Sequence, residues 1–112
     1  MSDSLFFTAR RPAGPSANVA FTSVSAGVGP ISPGAQSVSI YCSVAGFVRV
    51  AYGTTQTTAT TSDIPVPANV PIVVPVPQRG ANDASGADKL WAAARGATIT
   101  STGTMYVQPN AD

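Results

Sequence analysis

The prolines of residues 63–77 constrain this chain more than any other feature. Every even position from 64 to 76 is apolar (Ile64, Val66, Ala68, Val70, Ile72, Val74, Val76), while Pro65, Pro67, Pro71, Pro75 and Pro77 take odd ones, with Asn69 and Val73 between. A period of two is the period of a strand. Successive backbone N–H groups of a strand point to alternate edges. Prolines of one parity therefore delete donors along one edge and leave the other able to pair. The segment reads as an edge strand, or two short ones broken near Ala68-Asn69, whose outer edge cannot recruit a further strand.

The same period recurs elsewhere. Residues 17–24 place Val19 and Phe21 on one face. Ser37-Val38-Ser39-Ile40-Tyr41-Cys42 alternates with Val38, Ile40 and Cys42 inward. Val48, Val50 and Tyr52 share a face of residues 47–52, with Arg49 on the opposite side, solvated or, as the alternative, in contact with an acidic neighbour. Gly27, Gly29, Pro30, Pro33 and Gly34 predict a long turn region. The threonine-rich residues 54–61 predict an exposed strand or ribbon. Residues 89–96 fit either a short capped helix or a strand with Leu90, Ala92 and Ala94 on one face, and the β character of their surroundings favours the strand. Residues 97–100 and 104–108 predict a hairpin turning at Ser101-Thr102-Gly103 and stopped by Pro109. The fold class expected is all-β: a small antiparallel β-sandwich or barrel, residues 17–112, preceded by an extended N-terminal arm, residues 1–16.

Composition limits the chemistry. The 112 residues include no histidine, which removes imidazole acid–base work, Ser-His and Cys-His nucleophiles and the commonest metal ligand. The acids are all aspartates, Asp3, Asp63, Asp83, Asp88 and Asp112. Asp83 and Asp88 share a loop but lack the ligand spacing of a dedicated calcium site. Ala26-Gly27-Val28-Gly29-Pro30 lacks the Lys-Ser/Thr ending of a phosphate loop and reads as a turn. The single cysteine, Cys42, falls at an inward position and reads as an inert core thiol. The reading is no enzyme, no metal and no cofactor.

Charged residues are only 10% of the chain and the net charge is +1, so there is no basic footprint for nucleic acid. No apolar run is long enough for a membrane-spanning helix, and residues 1–5 lack the basic start of a signal peptide. What remains is binding to protein. Leu5-Phe6-Phe7 is a compact apolar anchor, followed by Arg10-Arg11 and then Pro12, Gly14 and Pro15, which oppose regular structure. Arginine and aromatic residues concentrate energy at interfaces, so Leu5, Phe6, Phe7, Arg10 and Arg11 are the candidate partner-binding residues. The alternative is an arm folded back on its own domain. Trp91 reads as core, with a ligand platform as its alternative.

Three stretches carry a family resemblance: residues 47–54 (Phe47-Val48-Arg49-Val50-Ala51-Tyr52-Gly53-Thr54), residues 58–67 (Thr58-Ala59-Thr60-Thr61-Ser62-Asp63-Ile64-Pro65-Val66-Pro67) and residues 103–107 (Gly103-Thr104-Met105-Tyr106-Val107). They resemble small β-rich virion structural proteins of tailed bacteriophages, of the capsid decoration or cement type. The likeness runs over residues 36–76 and 97–108 and is one of strands and turns. The arm and the loop at 78–88 fall outside it. The resemblance implies many copies on a capsid surface, often as trimers, after synthesis in the host cytoplasm. Its implied partners are the major capsid protein and other copies of the chain. A tail, adaptor or fibre protein is the nearest alternative. A carbohydrate-binding β-sandwich with Trp91 and Tyr106 as stacking groups is another.

Overall fold

A computed structural model describes residues 11–77 and 88–111. They form nine strands: β1 (Arg11–Pro12), β2 (Ala17–Phe21), β3 (Ala26–Ile31), β4 (Ser37–Cys42), β5 (Gly46–Gly53), β6 (Ile64–Val66), β7 (Ile72–Pro75), β8 (Lys89–Gly96) and β9 (Gly103–Ala111). One sheet has the order β1-β9-β4-β7, with β2 also on β9, and the other β3-β8-β5-β6. Every pairing is antiparallel, and β2 pairs with β9, β3 with β8, β4 with β7 and β5 with β6. That nesting is one long hairpin rolled over on itself, the topology of a jelly roll. The expected all-β sandwich is what the chain forms.

The core lies between the sheets and comes from the alternating positions. Val38, Ile40 and Cys42 of β4, Met105 and Val107 of β9, Val48 of β5, and Leu90, Ala92 and Ala94 of β8 are all buried, with Phe21 closing one end. Burying a branched or aromatic side chain of this size contributes about 1.5–3 kcal/mol. Residues 89–96 are a strand, and the fully buried Ala92 and Ala94 leave room for the facing β4 and β9 side chains.

Residues 63–77 do what their prolines require. The segment breaks into β6 and β7, each the last strand of a different sheet. Asn69 sits between them at φ 61°, its N–H donating to Cys42 O at 2.8 Å. The inward parity holds at Val66 and Val74, which are buried, but not at Val70 between the strands or at Ile64, which pairs with Val48 and is 43% exposed. Prolines mark the other edges too: β1 carries Pro12 and β3 carries Pro30. Each sheet edge thus contains a residue that cannot donate to a new neighbour, although β2, which continues the β1 edge along β9, has no proline.

Pro109 does not end the last strand, contrary to expectation. Its carbonyl accepts from Ala13 N at 2.9 Å, so its ring nitrogen faces the same side, where the chain between β1 and β2 leaves the ladder interrupted. The missing donor therefore costs no hydrogen bond. Gln108 bridges the gap, donating from Nε2 to Gly14 O at 3.2 Å and Pro109 O at 2.7 Å and accepting from Ser16 Oγ. Residues 11–16, expected within an extended arm, are thus extended and laid along β9 of their own domain.

Other expectations are corrected. The supposed turn at residues 27–34 contains β3, pairing with β8 through an irregularity between Val28 and Ile31. Its glycines answer close neighbours rather than a turn: a Cβ at Gly27 would lie 2.7 Å from Ala92 O, and one at Gly29 (φ +148°) 2.7 Å from Trp91 Cε3. Residues 54–61 form no strand. They run as a strap over the outer face of the β3-β8-β5-β6 sheet, with Ala59 N donating to Ser25 Oγ at 2.9 Å. Ala59 and Ala93 are buried yet stand outside the core cluster, the mark of a second, thinner packed layer. The expected hairpin of residues 97–108 is absent, because β8 and β9 belong to different sheets and residues 97–102 cross between them. Arg49 is not merely solvated: its Nε donates to Asp63 Oδ1 at 2.9 Å.

Candidate functional site

In a rolled hairpin the loops 22–25, 43–45, 67–71 and 97–102 all connect the two sheets at the same end. Their backbones are tied together. Gly96 N donates to Thr22 O at 2.7 Å, Ala97 N to Ala45 O at 3.2 Å, and Ser43 N to Thr104 O at 3.0 Å. Close approach enforces small residues here. A Cβ at Gly96 would stand 2.0 Å from Ser101 Cβ, and one at Gly103 would stand 2.5 Å from Val44 Cγ2.

On this braced end sit side chains that belong in a core. Residues 98–101 make a turn closed by Ser101 N donating to Thr98 O at 3.1 Å and Thr98 N donating to Ser101 Oγ at 3.0 Å. The turn lifts Ile99 into solvent, 88% exposed. Val24, whose N–H donates to Thr22 Oγ1 at 3.1 Å, is 72% exposed, and Val70 projects from the neighbouring loop. None of these loops contains a charged residue. The sequence signal is a branched aliphatic between hydroxyl residues, Ser23-Val24-Ser25 and Thr98-Ile99-Thr100, a pattern that strand propensity explains equally well.

Of the expected partner-binding residues, Leu5, Phe6, Phe7 and Arg10 lie outside the described residues. Arg11 is described only by its backbone, paired with Ala111. Asp83 is also outside them. Among the described residues no three metal-ligating side chains gather. Cys42 is fully buried, and burial pushes its thiol up to about 11.

Asp63 closes the strap. Its Oδ2 accepts from Thr60 N at 2.6 Å and Thr60 Oγ1 at 3.1 Å, while Oδ1 holds Arg49. Burial pushes this carboxyl up, but the Thr60 amide, the Arg49 and Thr60 side-chain hydrogen bonds and the Arg49 charge outweigh it and hold it below its usual value.

Trp91 and Tyr106 do not form one platform. Trp91 lies on the outer side of the β3-β8-β5-β6 sheet, packed by Gly29 and tied by Nε1 to Gly53 O at 2.8 Å; Tyr106 is on β9, in the other sheet. Trp91 is half-buried on that outer face rather than in the core. Tyr106 instead meets Tyr41, edge to face, with ring centres 5.8 Å apart. Comparison with family models, curated proteins and solved structures finds no match to this chain.

Proposed function

We propose that the protein is a capsid decoration or cement protein of a tailed bacteriophage, a non-catalytic module that binds the outer shell and stabilises junctions between major capsid subunits. The uncharged loop end carries this reading. Val24, Val70 and Ile99 are held out in water on loops braced by backbone hydrogen bonds, which is costly for a lone domain and useful for one that docks. Jelly rolls serve viral capsids and lectins, and the resemblance in residues 36–76 and 97–108 favours the first.

Burying Val24 and Ile99 in a partner contributes on the order of 4 kcal/mol before the cost of association. A stable contact of about 800 Å² per partner needs more, and the Leu5-Phe6-Phe7 anchor with Arg10 and Arg11 supplies it. Repeated copies on a shell add avidity.

The test is co-sedimentation with shells assembled from the major capsid protein encoded in the same genome. The wild-type chain pellets with the shells. Val24→Asp/Ile99→Asp, or removal of residues 1–10, releases it into the supernatant with the melting temperature kept. Full occupancy by both altered proteins contradicts the reading.

A further inference from the structure

The outer face of the β1-β9-β4-β7 sheet is a second surface, separate from the loop end. Asn18, Tyr106 and Tyr41 stand side by side across β2, β9 and β4, in direct register. Ser39 and Gln108 follow as the next such pair, and Pro71 walls the far side of a shallow cleft of about 250 Å³. No charged residue lines it. Unlike its counterpart on the other sheet, where the strap lies, this face holds Tyr106 at 47% exposure.

The polar groups here are oriented and partly unspent. Tyr41 OH donates to Asn69 Oδ1 at 2.7 Å, which fixes the Asn69 amide and leaves its NH₂ group pointing away from that bond. The backbone of Asn69 is anchored at Cys42 O, so the amide does not swing with the loop. Asn110 Nδ2 donates to Ser39 Oγ at 2.8 Å, leaving the Ser39 hydroxyl proton free to be donated outward. Asn18 is exposed beside the Tyr106 ring. The face thus offers an exposed ring, side-chain amides and hydroxyls able to both donate and accept, and no charge.

We infer that this tyrosine–asparagine cleft is a binding site for a neutral oligosaccharide. A sugar ring has an apolar C–H face that stacks on an aromatic ring, and hydroxyls that donate and accept at once, matching amide and hydroxyl partners. Neutrality argues against phosphate, nucleotide and acidic peptide ligands, which call for cationic partners. The site can be tested apart from the capsid reading: it shares Asn69 and Pro71 of loop 67–71 with the loop end, but neither Val24 nor Ile99.

The experiment is an amide NMR titration of the full chain with maltohexaose, cellohexaose, chitohexaose and mannohexaose, each to about 10 mM, where even millimolar affinity is visible. One member of the panel shifts the amides around Asn18, Tyr41 and Tyr106. Tyr106→Ala weakens that binding about tenfold and Asn18→Ala about fivefold, while Tyr106→Phe keeps most of it. Asn18→Ala leaves the melting temperature unchanged, and Tyr106→Ala, which loses the Tyr41 ring contact, lowers it by several degrees without unfolding the chain. The inference is overturned if no saccharide moves these amides or if shifts centre on Trp91. It also falls if Tyr106→Ala converts an oligomer to monomer, which would make the face a subunit contact.

Discussion

Ile40 and Ile99 are the same residue in opposite surroundings, and the account stands on the difference. Ile40, on the central strand β4, pairs with Val107 and Ile72 and is 0% exposed; Ile99, at the tip of its turn, is 88% exposed. Truncation to alanine removes the same atoms from each. At Ile40 the lost transfer energy is about 2.4 kcal/mol at 0.8 kcal/mol per methylene, and the cavity left between two sheets adds a further term. The expected cost is about 3–4 kcal/mol, a fall of some 10–20 °C in melting temperature. At Ile99 about nine-tenths of the surface is already wet, so the expected change is about 0.3 kcal/mol, inside the scatter of surface substitutions. Urea unfolding of the two variants, followed by circular dichroism, reads this directly. The Ile40→Ala midpoint drops by about 1–3 M and that of Ile99→Ala stays put. A cost under about 1 kcal/mol at Ile40, or over about 2 kcal/mol at Ile99, refutes the placement of these side chains and with it the argument that Ile99 is kept for docking.

Asp63→Asn loses about 1–2 kcal/mol at neutral pH, discounted for the partly exposed Arg49. The Asp63 pKa is lowered on folding, so its contribution is full above the ordinary carboxylate value near 3.9 and fades as pH falls through the folded one. Stability curves of wild type and variant therefore converge in acid; a constant gap would contradict the assignment. Cys42 works in the other direction: with its pKa pushed from 9.0 to about 11, the unfolded chain ionises first and stability falls across that interval. The slope is about 1.4 kcal/mol per pH unit, absent in Cys42→Ala, and the folded thiol resists disulfide reagents at pH 8. Gly96→Ala, with its Cβ 2.0 Å from Ser101 Cβ, costs about 1–3 kcal/mol in a thermal melt and disturbs the turn beneath Ile99.

What the sequence made legible was whatever depends on one strand and its own pleat. The alternation of Val38, Ile40 and Cys42 gave their burial, and the prolines of residues 63–77 gave edge-strand character, with one strand or two broken near Ala68-Asn69 left open. What depended on a distant neighbour was hidden. Gly27 and Gly29 look like turn residues, yet they are small because Gln56, Ala92 and Trp91 press on them. The threonines of residues 54–61 have strand propensity, but Ala59 and Asp63 hold them as a strap. A polar linker such as residues 97–102 reads the same whether it joins partners or crosses between sheets. The uncharged loop end was hidden for a related reason: Val24 and Ile99 look like strand residues, and only the rolled topology puts their loops at one end.

A cryo-EM reconstruction of shells bearing the protein decides whether the loop end docks on the capsid. The account predicts jelly-roll density at subunit junctions, with the loops of Val24 and Ile99 against the capsid and the Tyr41–Tyr106 face turned to solvent. Density with that loop end pointing outward, or bare shells at saturating protein, would contradict it.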